Sequence, residues 1–589
     1  MKKILLFLSL LAITYVLQAN PSKNDKKLEA LLEQGWEYSL SRSPQSASYF
    51  GNKDKAGMLD DVSSEYQKQT ARGLQKLLDK INKIDRTKLS VDNKINLDMS
   101  KDMIAGNIAD IQFTEYQLPL NSENSFHVDL ARISDNMQFY TIKDYDNYLS
   151  KLNQIPRVFN QHIANMRDGL KTGMIQPQVI IQHYPEFIEK YITENPEKST
   201  FYQPFVSINK NITTDQANQL RKRAKKIILS KIMPAYKAFK NFMVVEYIPG
   251  AKKDIGAYSL PNGKAYYQQQ IKQYTTLDLT PKEINTIGWK EVKRIRTEME
   301  QVIKQVGFEG DFSEFLEFLR TDEQFYAKSA TDLLKEASYI AKKMDGKLPS
   351  LFTKLPRQPY TVNPVPDQIA ANYTTGRYVP APLDSTRPGQ YWVNTYGLKK
   401  RPLYNLEALT FHEAVPGHHL QIALSKELDH LPKFRRYNYI SAYGEGWGLY
   451  CEKLVKEVGF YQDPYSEFGR LTYEMWRAMR LVVDTGIHAF GMSRDEAIKL
   501  MEENTALSKH NVRTEIDRYI GWPAQALSYK LGEIKIWELR AKAEKALGVK
   551  FDIRTFHDTI LSQGSVPLNV LEQIIDLYIE QHKQTIELI

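Results

Sequence analysis

In the segment Thr410-Phe411-His412-Glu413-Ala414-Val415-Pro416-Gly417-His418-His419-Leu420-Gln421, a helical pattern runs into a proline followed by a glycine. Pro416 has no N–H for the carbonyl of His412, and its ring crowds that turn, while Gly417 accepts dihedrals closed to other residues. The stretch also holds three of the chain's 11 histidines, beside a glutamate. A hydrolytic zinc site needs two neutral imidazoles and a carboxylate next to its water, and H-E-x-x-H supplies them because positions four apart share a helix face. Here His412 and His418 are six apart, which on an unbroken helix would set them about 120° apart around the axis. A two-residue bulge at Val415-Pro416-Gly417 is therefore expected to bring His418 back over His412. His419 is expected either to hydrogen-bond behind the ligands or to replace His418 if the bulge differs.

A zinc ion so held needs a third ligand, with its fourth position left for water. Glu445 lies downstream in Ala442-Tyr443-Gly444-Glu445-Gly446-Trp447-Gly448-Leu449-Tyr450-Cys451-Glu452, at a distance that suits a helix-loop-helix return. The glycines on either side of it permit close backbone approach. Glu452, two turns later on the same face, is the reserve ligand.

The rest of the chain supplies a mainly helical frame. Leu28, Leu31, Leu32 and Trp36, and again Leu74, Leu77, Leu78 and Ile81, recur at helical spacing. Turn-forming residues between Tyr247 and Tyr267 mark a boundary, giving an N-terminal helical region over 20–250 and a catalytic region over 251–589. Thr280-Pro281-Lys282-Glu283 and Ser493-Arg494-Asp495-Glu496 read as capping boxes that open helices, the first running to about Val306. Between Pro356 and Thr395, β-prone residues alternate with prolines and predict a small sheet.

Lys2 and Lys3 followed by the apolar run Ile4 to Val16 read as an export signal over 1–19, cleaved near Ala19, so the mature protein is expected in a periplasm or outside the cell. No later stretch reaches membrane-spanning length, and no stable membrane span is expected. The formal charge of +9 is modest over 589 residues, and the basic run Arg221 to Lys226 fits a solvated helix face, so nucleic acid is not an expected partner. Cys451 is the single cysteine, which excludes an intramolecular disulfide and fits a buried structural thiol. Oligomeric state is not encoded in any visible pattern.

These motifs, together with Arg387-Pro388-Gly389-Gln390-Tyr391-Trp392-Val393-Asn394-Thr395, Arg480 to His488 and Pro523 to Lys530, resemble the bacterial domain-of-unknown-function 885 family, which is similar to the gluzincin clan of zinc metallopeptidases. The resemblance spans most of the mature chain. It implies a large, mainly α protein with a small sheet beside a zinc-peptidase-like active-site channel. It also implies one Zn2+ on His412, His418 and Glu445, with Glu413 as base.

On this reading the expected function is hydrolysis of peptide bonds by metal-activated water, with a zinc hydrolase of non-peptide amides or esters and an inactive peptide-binding protein as alternatives. Tyr519 and Tyr529 are candidate O–H donors to the oxyanion. Arg480, Asp484 and His488 recur at four-residue spacing, so they share a helix face that could support the ligands, recognise a peptide terminus or form a buried ion ladder. Tyr391 and Asn394 belong to a stretch expected to pair with an extended substrate as an added strand.

Overall fold

The computed structural model describes residues 22–584 apart from 123–124, 372 and 382–386, so the expected signal segment 1–19 lies outside the described residues. Helices dominate. Those that position the site are α1 (Val91–Gln112), α2 (Gly263–Thr275), α3 (Pro281–Gln305), α4 (Leu406–Glu413), α5 (His418–Lys426), α6 (Ser441–Leu454), α7 (Pro464–Phe490), α8 (Lys509–Gly521) and α9 (Ser528–Leu547). Strands β1 (Tyr360–Pro364), β2 (Gly376–Val379) and β3 (Gly389–Val393) form a three-stranded sheet just before α4. Both expected capping boxes are present, at Thr280 with Glu283 and at Ser493 with Glu496.

The axis of the molecule is α7, whose residues from Phe468 to His488 are all buried. A helix enclosed on every side cannot solvate its charged residues, so they must pair. Arg470 reaches Glu474 at 2.7 Å, Glu474 reaches Lys530 of α9 at 2.8 Å, and Lys530 also meets Glu291 of α3 at 3.2 Å and Glu533 at 2.7 Å. This ion network ties α3, α7 and α9 together. Helix α3 lies close along α7, and a side chain at Gly288 would stand 2.8 Å from Leu481 Cβ.

The buried apolar core is continuous from Leu59 to Ile579 and crosses residue 250 without interruption. A small satellite core joins Leu28 and Leu32 to Leu77 and Ile81, as their spacing predicts. The basic run at 221–226 is partly neutralised at the surface, Arg223 pairing with Asp146 and Lys225 with Glu197. Among the described residues no helix is long and apolar enough to cross a membrane.

In the sheet β3 is central, parallel to β1 and antiparallel to β2, with Tyr391 facing Val362 on one side and Tyr378 on the other. Its hydrogen-bonding groups are therefore taken on both sides, and the Tyr391 to Thr395 stretch has no free edge for an added strand. The edge that faces the interior cavity belongs to β2.

Candidate metal centre

Helix α4 ends at Glu413, the chain turns through Ala414 to Gly417, and α5 starts at His418. This differs from the expected bulge within one helix. Ala414 (φ −95°, ψ −110°) and Gly417 (φ −76°, ψ −130°) both leave the helical region, and the Val415–Pro416 peptide is cis. The turn folds back so tightly that a Cβ at Gly417 would lie 2.0 Å from the carbonyl oxygen of His412, which no bulge of an intact helix requires. Trp447 Nε1 donates to the Pro416 carbonyl at 2.9 Å and pins the turn to α6.

The result places His418 beside His412, with ring centroids 4.7 Å apart and planes perpendicular. Glu445 Oε2 lies 3.3 Å from both Nε2 atoms, and the three donor atoms fall within 4.8 Å of one another. Ligands of a tetrahedral zinc at about 2.0–2.2 Å stand roughly 3.3–3.6 Å apart, so the two Glu445–imidazole separations match such an ion and the donor types suit it. Burial alone would raise the Glu445 carboxyl, but the His418 and His412 imidazoles hold it well below the usual range. Burial likewise opposes a charge on His412, yet its hydrogen bonds to Glu445 and Glu452 push it up to about 9. The pocket favours positive charge at the point where the three donors converge.

The glycines around Glu445 each admit a neighbour that a side chain would exclude. A Cβ at Gly444 would meet the Tyr439 ring at 2.3–2.4 Å, one at Gly446 would meet Gly532 of α9 at 2.6 Å, and one at Gly448 would meet the His412 ring at 2.6 Å. Tyr439 Oη donates to Glu445 Oε1 at 3.1 Å, which leaves Oε2 for the imidazoles. His412 Nδ1 donates to Glu452 Oε1 at 2.8 Å, turning Nε2 towards the other donors, and Glu452 Oε1 is itself paired with Arg477 at 3.0 Å. Glu452 thus orients a ligand rather than serving as the reserve one. Glu413 Oε2 accepts the Tyr378 N–H of β2 at 2.7 Å, which fixes the carboxylate at the wall of the same cavity.

That cavity has a volume of about 640 Å³. Its walls come from β2 and the residue before it (Thr375, Gly376, Tyr378), His412, His418 and Glu445, Tyr439, α7 (Tyr473, Trp476, Arg477, Arg480) and α8–α9 (Glu515, Arg518, Tyr529), and it is closed by Asp102 and Gly106 of α1 and by Gln269 and Gln273 of α2.

The other expected site residues divide clearly. His419 turns away from the donors to Tyr378 Oη at 3.1 Å and packs on Tyr360, and burial brings its imidazole down to about 4. Tyr529 lines the cavity, its ring stacked 6.5 Å from that of His412. Tyr519 is spent elsewhere: its hydroxyl accepts from Trp476 Nε1 and Arg480 Nε at 2.8 Å each and donates to Glu515 at 2.9 Å, leaving no proton for an oxyanion. Tyr391 Oη pairs with Thr410 Oγ1 at 3.2 Å, and the Asn394 amide donates to the carbonyls of Ala370, Tyr373 and Thr374, so both brace the sheet and its loop rather than meeting a ligand.

Of the four-residue ladder on α7, only Arg480 reaches the cavity. Asp484 accepts from Tyr267 Oη at 2.6 Å and from the Ala524 N–H at 3.2 Å, and burial pushes its carboxyl up to about 7 against those bonds. His488 accepts the Ala257 N–H at 3.0 Å and donates to the Tyr519 carbonyl at 2.9 Å, and burial holds it down to about 4. Both join α7 to the loop and helix that precede α3. Tyr439, Arg477, Arg518 and the backbone of Tyr378 are site members that the motifs did not reveal. Arg477 alone carried a signal, since it sits one turn before Arg480.

With this geometry in place the comparisons identify the lineage. A family model for bacterial proteins of unknown function (DUF885) matches residues 44–575, and the chain belongs to that family. Two solved structures share the helical architecture with the small sheet. One is described as the "putative lipoprotein" from Colwellia psychrerythraea; it is 28% identical, with 95% of this chain and 100% of that chain covered and a TM-score of 0.89. The other, a lipoprotein of unknown function so described from Shewanella oneidensis, is 18% identical over 94% of this chain and 100% of its own, with a TM-score of 0.73. No curated protein matches.

Two predictions follow from these contacts. Replacing Glu452 by Gln exchanges the charged acceptor behind His412 for a neutral amide and should lower zinc affinity by about 10- to 100-fold, measured by competition with a chromophoric chelator. Asp484 is raised above its unfolded value of roughly 3.9, so its contribution to stability is complete below about pH 4 and is lost as pH rises to about 7. The melting temperature of Asp484→Asn minus that of the parent should therefore climb between pH 4 and 7 and level off above.

Proposed function

We propose that this chain is an exported, zinc-dependent peptidase in which His412, His418 and Glu445 would hold the ion and Glu413 serves as general base. The observation that carries the reading is the convergence of those three donors within 4.8 Å beside a fourth, independently held carboxylate in a large cavity. A purely structural site has no use for that extra carboxylate. When bound, zinc supplies Lewis acidity and lowers the pKa of water.

Glu413, fixed through one oxygen to the Tyr378 N–H, takes a proton from the attacking water and returns it to the leaving amine. Tyr529 at the cavity wall, whose hydroxyl accepts from Arg518 at 3.3 Å and so keeps its own proton, can donate to the oxygen on which charge develops. The β2 edge that anchors Glu413 also lines the cavity, and its position suits an extended peptide laid alongside it. Strand β3 is paired on both sides, and the outer strand β1 does not line the cavity, so the substrate's backbone is directed to the β2 edge. Export is supported by the charged and apolar start of the chain, expected to be cleaved near Ala19, and by the lipoprotein descriptions of both structural neighbours. The partner expected in the cavity is a peptide, not nucleic acid.

Glu413→Gln should keep one zinc per chain by elemental analysis while peptide turnover falls by about 10²- to 10⁴-fold. A variant that retains both zinc and full turnover contradicts the role given to Glu413. Hydrolysis of simple esters with every peptide left intact would instead assign the site to non-peptide substrates.

A further inference from the structure

The cavity is electrically polarised. One end carries Glu413 and Glu445; the other is formed by Arg480 and Arg518, both turned to the single carboxylate of Glu515 at 3.0 and 3.1 Å. Arg480 is 2% exposed, and its guanidinium is clamped between the Trp476 ring at 4.4 Å and the Tyr529 ring at 4.1 Å. Its Nε donates to Tyr519 and its Nη2 to Glu515, but Nη1 is buried with no acceptor among the described residues. An ionised donor left this way carries a desolvation penalty, and a planar guanidinium held rigidly with one nitrogen free is shaped for an oxyanion.

The Tyr529 ring bridges the two ends, 6.5 Å from the His412 ring and 4.1 Å from the Arg480 guanidinium carbon. Those contacts put the Arg480 guanidinium carbon no more than about 11 Å from the His412 ring, and once a hydrogen bond at the Arg480 end and the contact at the metal donors are taken off, one or two residues of extended peptide, at roughly 3.3–3.6 Å each, cover the remainder. A carboxylate at Arg480 would therefore place a bond one or two residues upstream beside the three metal donors.

We propose that Arg480 Nη1 receives the free α-carboxylate of the substrate, so that the protein removes one or two residues from the carboxyl end of peptides. The inference rests on the peptidase reading for its chemistry. Water oxygen bonds to the scissile carbonyl carbon, the C–N bond breaks, and the water proton passes through Glu413 to the leaving amine. The products are a shortened peptide with a new carboxylate and a free amino acid or dipeptide. Arg480 and Arg518 share one carboxylate, so their end of the cavity keeps a positive charge that draws the substrate in with its carboxylate towards it.

The test uses the zinc-loaded protein and pairs of peptides that differ only in a C-terminal free acid or amide. Mass spectrometry should show stepwise loss from the carboxyl end of the acid, with kcat/KM about 10- to 100-fold above that of the amide. Arg480→Met should collapse the acid-to-amide ratio towards one, and Arg480→Lys, which keeps the charge without the planar fork, should leave an intermediate ratio. The ratio within each variant is read because a general loss of folding does not move it. A parallel titration calorimetry arm measures binding of the same two peptides to zinc-loaded Glu413→Gln, with and without Arg480→Met. Equal cleavage of acid and amide, or cleavage at internal bonds, overturns the carboxylate assignment and leaves the peptidase reading standing. No cleavage, but acid-selective binding that Arg480→Met abolishes, retains the carboxylate site and removes the peptidase reading. Neither cleavage nor binding overturns both.

Discussion

The His412 imidazole is the part of the molecule on which the remainder of the site depends, because three separate elements have to agree on where it sits. Glu452 fixes one nitrogen, Gly448 leaves a bare backbone for the ring to rest against, and the turn at Gly417 brings His418 alongside while Glu445 meets the other nitrogen. The contacts with Glu452 and Gly448 are remote in sequence. Each needs α4 and α6 to approach within the thickness of a ring, and that approach is set by a core in which Gly446 and Gly532 let α6 and α9 touch backbone to backbone. Packing therefore determines how the two imidazoles and the carboxylate converge.

The same packing explains the charge pattern of α7. Its arginines and glutamates are buried because the helix is enclosed, and each is assigned by depth to one of two tasks. Arg470 and Glu474 lock the helix to α3 and α9, while Arg477 and Arg480 face the cavity, the first supporting Glu452 and the second facing the end remote from the metal donors. The N-terminal region contributes α1 to the cavity wall, and the apolar core runs unbroken into it. The chain thus encloses its site with residues from both sides of the boundary expected near residue 250.

Much of this was legible beforehand. Histidines, glutamates and glycines in two short motifs named the three residues that converge and the glutamate beside them, since those residue types at those spacings have few other joint uses. The capping boxes and the stretch that became the sheet were equally plain, because caps and alternation are local codes. What stayed hidden depended on three-dimensional neighbours. Tyr439 sits in a loop with no periodic signal, and nothing in the Tyr391 to Thr395 stretch reveals that β3 will be central. Tyr519 and Tyr529 looked equivalent, yet one hydroxyl is consumed by Arg480 and Glu515 while the other faces the cavity. The four-residue spacing of Arg480, Asp484 and His488 was real, but only tertiary packing decides that a single member of the row reaches the site.

The central claim is that one divalent ion sits where two imidazoles and a carboxylate meet across the interrupted helix. Anomalous diffraction at the zinc edge from crystals of the zinc-loaded protein tests it without reference to any substrate. The account predicts one dominant peak at about 2.0–2.2 Å from His412 Nε2, His418 Nε2 and a Glu445 oxygen. A dominant peak coordinated by other residues, or none at that point in fully loaded protein, would contradict it.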